Sequence, residues 1–145
     1  MCVITILSAI SNSDITDFNE LMHELSPTSF CNEEKLGVAL ADDNCIVLVA
    51  RIDNRIVGTA TLCIMHTPEF ALGVVEAVVV MSKHRGNGIG KQLMQRLIEI
   101  ARIHKLEHLH LTSNPKRIEA NALYQSIGFV PYNTNYYTLN LSSFG

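Results

Sequence analysis

Residues 85–90, with the sequence RGNGIG, connect a run of valines to a long amphipathic segment and place three glycines in six positions. Glycine is unfavourable at the start of a helix unless the backbone must adopt a left-handed conformation or approach another group closely. A strand that turns directly into a helix leaves amides unpaired, and these amides attract an anion together with the helix dipole. No side chain would block a diphosphate at Gly86, Gly88 and Gly90, and the neighbouring cations are Lys83, Arg85 and Lys91. The loop therefore predicts a ligand that carries phosphate.

Two common phosphate-binding motifs do not fit this loop. A P-loop requires serine or threonine after its Gly-Lys pair, whereas Lys91 is followed by Gln92. A dinucleotide-binding motif has the spacing GxGxxG and follows the first strand, whereas this loop comes late in the chain with the spacing RxxGxG. The glycines therefore indicate a different phosphate-bearing cofactor.

The composition is that of a globular domain. Of the 145 residues, 48% are hydrophobic and 17% are charged, which predicts a single domain over residues 1–145 with its own core. The formal net charge is −3. Because proteins that hold nucleic acid by charge are usually basic, the balance argues against a nucleic-acid partner.

The sequence also lacks the features of a membrane or secreted protein. No stretch reaches the roughly 18 apolar residues of a membrane span, and the first residues lack the basic start of a signal peptide. The four cysteines form no CxxC pair, and their scatter suits a reducing compartment. We therefore expect a cytoplasmic protein with no membrane partner.

Hydrophobic patterning predicts the element order β-α-α-β-β-β-α-β-α-β-β. Residues 73–81, GVVEAVVVM, are nearly all apolar and β-branched, as in a central strand covered on both faces. The clearest helix spans residues 88–106, with an apolar stripe of Ile89, Leu93, Leu97, Ile100 and Ala101. Two final strands are expected in residues 129–141. The fold class is therefore α/β (α+β), with a mixed, mostly antiparallel central sheet of about seven strands and helices on both faces.

A second motif narrows the nature of the ligand. The segment NALYQSIGF, residues 121–129, follows the glycine loop, and VVEAVVV precedes it. Together these segments resemble the GNAT superfamily of acetyl-CoA-dependent N-acetyltransferases. The resemblance covers about residues 55–129 well and the whole chain in element order. It implies the acyl-CoA N-acyltransferase (GNAT) fold, and acetyl-CoA as the co-substrate.

The resemblance also implies which residues bind the coenzyme. Its pyrophosphate would be held by the loop amides of Arg85, Gly86, Asn87, Gly88, Ile89, Gly90 and Lys91. Its pantetheine arm would lie along the main chain of Val78, Val79 and Val80, where the fourth and fifth strands splay apart to admit it. Asn114 and Asn121 would hydrogen-bond the pantetheine and phosphate region, although Asn114 also suits a turn before Pro115.

Acetyl transfer to an amine requires a base, and Glu76 is the best candidate. It lies inside an apolar strand, where burial would make its carboxylate a stronger base near neutral pH. Strict alternation along the strand would place Glu76 and Val78 on the same face, near the thioester. An ordinary exposed position, or a pairing with lysine or arginine, is the alternative. His66 and Glu69, near the end of the preceding strand, are weaker candidates.

The leaving thiolate requires an acid, and the family resemblance implies that Tyr124 supplies it. In the family, the tyrosine at this helix position points at the coenzyme sulfur, and a phenol with a pKa near 10 can protonate a thiolate. A core tyrosine packed on the sheet is the alternative. By the same analogy, the main-chain N–H of Val79 would stabilise the oxyanion.

Other chemistries have less support in the sequence. His108 and His110 point to the same face of a strand, but two ligands without a third do not make a metal site, so no metal is expected. No cysteine has an evident nucleophile context, which argues against an acyl-cysteine route.

The sequence therefore predicts an N-acetyltransferase that moves an acetyl group from acetyl-CoA to a primary amine of a small molecule or peptide by direct attack. No motif identifies the acceptor. VGTATLCI is similar to glucosamine-phosphate N-acetyltransferases, but in that family an acidic residue is directly followed by Asp or Asn, whereas here Glu76 precedes Ala77. An amino-sugar-phosphate enzyme and a degenerate acyl-CoA sensor without turnover remain as alternatives. The oligomeric state is open, with a homodimer among the options.

Overall fold

The computed structural model describes residues 1–144, which divide into two compact units, Met1–Thr112 and a second unit that begins at Ser113. The first unit contains strands β1 to β5, at Val3–Ile6, Cys45–Ile52, Arg55–His66, Ala71–Val80 and His108–His110. Its helices α1 to α3 lie at Asn12–Leu25, Glu33–Ala41 and Ile89–Ile103, and a short 3₁₀ turn lies at Ser82–His84. The second unit contains helix α4 at Ile118–Ser126 and a 3₁₀ turn at Leu141–Phe144.

The five strands form one sheet in the order β1-β2-β3-β4-β5. The first four strands are antiparallel neighbours, and β5 joins β4 in parallel. This arrangement confirms a mixed, mostly antiparallel sheet, but the expected count of about seven strands is wrong.

The two missing strands are those expected in residues 129–141. Their tyrosines and leucines suit a strand, yet Val130, Tyr132 and Leu139 are exposed, and polar groups close local turns instead. Thr134 N–H donates to the carbonyl of Tyr132 at 3.1 Å, and the Asn140 side chain accepts from Ser142 N–H at 3.0 Å. Local hydrogen bonds of this kind compete with a strand ladder, because a strand satisfies its backbone only when another strand lies beside it.

Helices cover both faces of the sheet. On one face, α1 packs Phe18 and Leu21 against Val47, Val49 and Val79. On the other face, α3 packs against β3, and all five residues of the apolar stripe predicted for this helix are buried. The sequence pattern of α3 is therefore confirmed residue by residue.

Gly58 marks the closest approach of α3 to the sheet. A Cβ atom at this position would lie 3.2 Å from Leu93 Cδ1. The register between β2 and β3 also shifts beside it, since Ala50 faces Gly58 while Arg51 faces Ile56. The missing side chain thus serves both the β-bulge and helix packing.

Two ion pairs attach α1 to the sheet. The buried carboxylate of Asp17 accepts hydrogen bonds from Arg55 Nε at 2.9 Å and from the Ile56 main-chain N–H at 3.0 Å. One turn earlier, Arg51 donates to Asp14 at 2.8 Å, and this hydrogen bond lowers the pKa of the Asp14 carboxyl. Arg51 lies on β2 and Arg55 on β3. These bonds therefore orient α1 along the sheet and place its C-terminal end beside the end of β4.

Candidate functional site

The glycine loop joins β4 and the 3₁₀ turn to α3. Gly86 has a φ of +81° and Gly88 a φ of +77°, which are left-handed conformations that a side chain disfavours. Gly88 is also the N-cap of α3, and no side chain within residues 1–144 caps this end of the helix. A Cβ atom at either glycine would meet nothing within 4 Å. The first amides of α3 thus lack a side-chain cap from the described residues, and the space beside the two glycines is unobstructed, as a diphosphate-binding loop requires.

The cations around the loop do not all contribute free charge. Lys83 and Lys91 are exposed. Arg85, by contrast, donates from Nε to the Val80 carbonyl at 3.0 Å and pairs with Glu24 at 3.2 Å. Its charge is thus largely used within the protein, and the lysines are the cations available to an anion in the loop.

Strand β4, which precedes the loop, contains a β-bulge that its sequence pattern does not predict. Thr59 faces Val79 and Thr61 faces Glu76, so Ala77 and Val78 together oppose the single residue Ala60. Ala77 has a φ of +52°, a left-handed conformation that is uncommon for a residue with a Cβ. Two residues opposite one define a β-bulge, which shifts the alternation of side chains by one position.

The bulge changes the expected placement of Glu76. Because Val79, and not Val78, shares its face, the expectation that Glu76 and Val78 lie on the same face is wrong. The expected burial is also wrong, since Glu76 is exposed while Val78 and Val79 are buried. The carboxylate therefore faces solvent on the sheet face that carries Val79.

Strand β5 pairs with only the first part of β4. Pairing with β5 covers only Leu72 to Val74, so the ladder between the two strands ends well before the glycine loop. On the other side, Met81 N–H donates to the Val57 carbonyl at 2.8 Å. In an antiparallel ladder this spacing directs the Val79 N–H toward β3, which argues against the role in stabilising the oxyanion that the family resemblance implied for it.

Cys63 lies on the same face as Glu76 and directly opposite Cys45. Burial raises the pKa of the Cys63 thiol to about 11, with further contributions from Cys45 and from the negative charge of Glu76. A thiol with this pKa is protonated at neutral pH and is a poor nucleophile. The environment of Cys63 therefore disfavours an acyl-cysteine route.

The other candidate bases lie at the far end of β4. The register pairs His66 with Ala71, five residues before Glu76, which corresponds to about 17 Å along a strand. Glu69 lies in the turn before β4, where its main-chain N–H bonds to Thr67 Oγ1 at 3.2 Å. Both are therefore far from the glycine loop.

In the second unit, Asn114 and Asn121 both form hydrogen bonds within the turn that precedes α4. Asn121 Nδ2 donates to the Asn114 carbonyl at 2.9 Å, and Asn114 Oδ1 accepts from Lys116 N–H at 2.9 Å. These bonds shape the turn that leads into α4. They correspond to the turn role that the sequence already allowed for Asn114.

Tyr124 is the buried residue of α4, with 5% of its surface exposed. Burial raises the pKa of its phenol, while the charge of Arg117 and a hydrogen bond from it act in the opposite direction. The hydroxyl therefore stays protonated at neutral pH and accepts from Arg117, so its own proton remains available to an acceptor. No pattern in the sequence singles out Arg117 as a neighbour of Tyr124.

Metal binding has no support in the described residues. His108 and His110 have ring centroids 6.3 Å apart, and residues 1–144 hold no cluster of three or more His, Cys, Asp or Glu side chains suited to an ion. Over the same residues, no helix combines the length and apolarity needed to cross a membrane.

A cavity of about 190 Å³ lies against the 3₁₀ turn and is lined neither by Glu76 nor by the glycine loop. Lys83 contributes a positive charge to its wall and His84 an imidazole, whereas Glu20 and Asp53 contribute negative charges. Because the charges are mixed, the cavity shows no preference for an anion.

Comparisons with known proteins agree with this arrangement. The profile of a family described as the acetyltransferase (GNAT) family matches residues 8–129. The chain is 39% identical over 80 residues to a glucosamine 6-phosphate N-acetyltransferase of Trypanosoma brucei brucei, covering 52% of this chain and 51% of the relative. It is 33% identical over 67 residues to the N-acetyltransferase YobR of Bacillus subtilis (strain 168), covering 46% of this chain and 27% of the relative.

Among solved structures, an acetyltransferase of Trypanosoma brucei superposes with a TM-score of 0.75 at 27% identity. The match covers 97% of this chain and all of that one. The two curated relatives are matched over only about a quarter and about half of their lengths.

Proposed function

The chain belongs to the acetyltransferase (GNAT) family, and from this premise we propose that it transfers an acetyl group from acetyl-CoA to a primary amine. The observation that carries the proposal is the pair of left-handed glycines at the start of α3, which no side chain of residues 1–144 caps, after a strand β4 whose second half is not paired with β5. Loop amides there would hold the diphosphate, and the second half of β4 would lie along the pantetheine arm. The scattered free cysteines favour the cytoplasm as its location.

The residues have distinct proposed roles in coenzyme binding. The amides of residues 85–91 bind the diphosphate, with Lys83 and Lys91 as the free cations. The main chain of Val78, Val79 and Val80 is the proposed contact for the pantetheine arm. Asn114 and Asn121 keep the turn before α4 in shape, and through it the position of Tyr124.

The chemistry requires the acceptor nitrogen to lose two protons and the leaving thiolate to gain one. Acetyl-CoA supplies the acetyl group as a thioester; the amine nitrogen bonds to the carbonyl carbon, and the carbon–sulfur bond breaks. Glu76 accepts a proton from the acceptor ammonium, directly or through one water, which frees the nitrogen lone pair. Tyr124 donates its phenolic proton to the departing thiolate. The nitrogen, which is cationic after the attack, loses its second proton to solvent; solvent reprotonates the tyrosine, and Glu76 releases the first proton to solvent. The acetyl group passes directly to the amine, and the raised pKa of the Cys63 thiol supports this route by disfavouring an acetyl-cysteine intermediate at that position.

An amino-sugar phosphate is the acceptor class with a specific observation in its favour. The 39% identity to a glucosamine 6-phosphate N-acetyltransferase covers about half of each chain. Against it stands Ala77, which occupies the bulge next to Glu76 and offers no side-chain hydrogen bond. An acceptor panel should therefore contain glucosamine 6-phosphate, amino acids, a polyamine, an aminoglycoside and a peptide with a free N-terminus.

Binding of the coenzyme is the direct test of the proposal. At 100 times its dissociation constant, CoA should raise the free energy of unfolding by about 2.7 kcal/mol, because it binds only the folded chain. For a chain of this size the melting temperature should rise by about 5–10 °C, measured by differential scanning fluorimetry. No shift with either CoA or acetyl-CoA would refute the function. A shift without thiol release on any amine of the panel would favour the sensor alternative.

Glu76→Gln tests the proposed base. The substitution keeps the shape of the side chain but removes the proton acceptor, so kcat/KM at pH 7 should fall by about 10²-fold. The loss should shrink at high pH, where the amine is already neutral. Glu99→Gln, an equal change at an exposed position of α3, should have no effect. A wild-type pH profile in Glu76→Gln would contradict the proposed base and favour a water held by main-chain carbonyls, since Glu69 and His66 lie at the far end of β4.

A further inference from the structure

The C-terminal end of α1 is bonded to the segment that enters the glycine loop. Glu24 Oε1 accepts from the hydroxyl of Ser82 at 2.9 Å and from its main-chain N–H at 3.3 Å. Glu24 Oε2 accepts from the guanidinium of Arg85 at 3.2 Å. One carboxylate thus holds the 3₁₀ turn and the first residue of the loop at once.

Arg85 links the Glu24 carboxylate to the start of the glycine loop. Its Nε donates to the Val80 carbonyl at 3.0 Å, so the side chain bridges the end of β4 and the end of α1. Its backbone is extended, with φ −67° and ψ 158°, and leads directly into the left-handed Gly86. Asn87 then closes the loop by donating to the His84 carbonyl at 3.1 Å.

Glu24 is ionised in this arrangement. The hydrogen bond from the Ser82 side chain lowers the pKa of its carboxyl, burial acts against this, and the Ser82 N–H and the charge of Arg85 lower the pKa further. The Glu24 side chain is 29% exposed and that of Arg85 is 44% exposed. A pair this exposed adds little to global stability, so its main effect is on the local order of the loop.

We propose that Glu24 is a positioning residue for coenzyme binding, which holds Ser82 and Arg85 so that the loop amides are oriented before the diphosphate arrives. This inference rests on the proposed function, since it needs the loop to bind the coenzyme diphosphate. Glu24 does not contact the coenzyme, because a carboxylate repels a diphosphate. A loop already ordered loses less conformational entropy on binding, and affinity rises accordingly.

Whether the loss of Glu24 weakens or strengthens CoA binding distinguishes this positioning role from a purely electrostatic one. Removing a negative charge near an anion site strengthens anion binding when charge alone matters, and it also frees Arg85 to approach the diphosphate. Loss of positioning weakens binding instead. Glu24→Gln should therefore raise the dissociation constant of CoA, although it makes the region more positive.

The experiment compares two ligands by isothermal titration calorimetry. CoA carries the diphosphate, whereas pantetheine has the same thiol arm without it. We expect Glu24→Gln to weaken CoA binding about tenfold and to change pantetheine binding less than twofold. Glu20→Gln, the same change one turn earlier on α1 at an exposed position, should leave the affinity for CoA unchanged. Circular dichroism melting checks that each variant is folded.

Each other outcome has a defined meaning. Unchanged or tighter CoA binding by Glu24→Gln overturns the inference, as does an equal loss for CoA and pantetheine, which would indicate general damage. If Glu24→Gln does not fold, Ser82→Ala removes the 2.9 Å bond alone. In that variant about threefold weaker CoA binding supports the inference, and no change overturns it. Failure of the wild-type protein to bind CoA refutes the proposed function itself.

Discussion

Replacing Tyr124 by phenylalanine is expected to lower kcat by about 10²- to 10³-fold while the affinity for CoA stays unchanged. The substitution removes only the hydroxyl and keeps the buried ring, which packs edge to face on Phe129 with centroids 6.1 Å apart. Since burial raises the pKa of this phenol, it is protonated at working pH and can act as an acid without a further trigger. Steady-state kinetics with saturating acetyl-CoA and a good amine measure the loss.

The matched control for this prediction is Tyr132→Phe. Tyr132 is 87% exposed, so the loss of its hydroxyl should not change kcat. The wild-type enzyme should also lose activity at alkaline pH, above the ordinary tyrosine pKa of about 10, because the deprotonated phenol cannot donate. An unchanged kcat in Tyr124→Phe would assign Tyr124 to packing alone, and the thiolate would then take its proton from solvent.

Gly88→Val is expected to weaken CoA binding by 10²-fold or more, about 2.7 kcal/mol. Valine strongly disfavours the φ of +77° that this position requires, so the loop would leave the conformation that presents its amides. Any valine that kept this conformation would project its side chain into the open space in front of the first turn of α3. Calorimetric titration with CoA measures the loss.

Gly128→Val separates backbone strain from the loss of the anion site. Gly128 also has a left-handed φ, +111°, and open space where a Cβ would lie, but it follows α4 and is not in the loop. Both variants should lose stability to similar degrees, and only Gly88→Val should lose affinity for CoA. Equal loss of affinity in both would contradict the assignment of the diphosphate to residues 85–91.

The amino-acid sequence by itself determined the features that depend on local patterns. The stripe of α3 follows from helical periodicity, and all its predicted members are buried. The loop follows from glycines at spacings where only a residue without a Cβ adopts a positive φ at little cost, and Gly86 and Gly88 have that conformation. The family follows from two short motifs, and the family profile spans both.

The placement of Glu76 depended on the tertiary structure. Alternation predicts that residues two apart share a face, and this holds only while the ladder has one residue opposite one. The bulge at Ala77 arises where β3 and β4 pair, so the sequence of β4 alone does not reveal it. For that reason the side chain expected to be buried beside Val78 is exposed on the other face.

The other differences between the sequence-based predictions and the structure also arise from contacts between groups far apart in sequence. Residues 129–141 have the composition of strands, but strand formation needs a partner, and local turns formed instead. The bonds from Glu24 to Ser82 and Arg85 join groups 58 and 61 residues apart, and no periodicity or motif marks such a contact. Local sterics and periodicity can be read from neighbouring residues, whereas pairing, register and side-chain bonding are decided only when distant segments pack together.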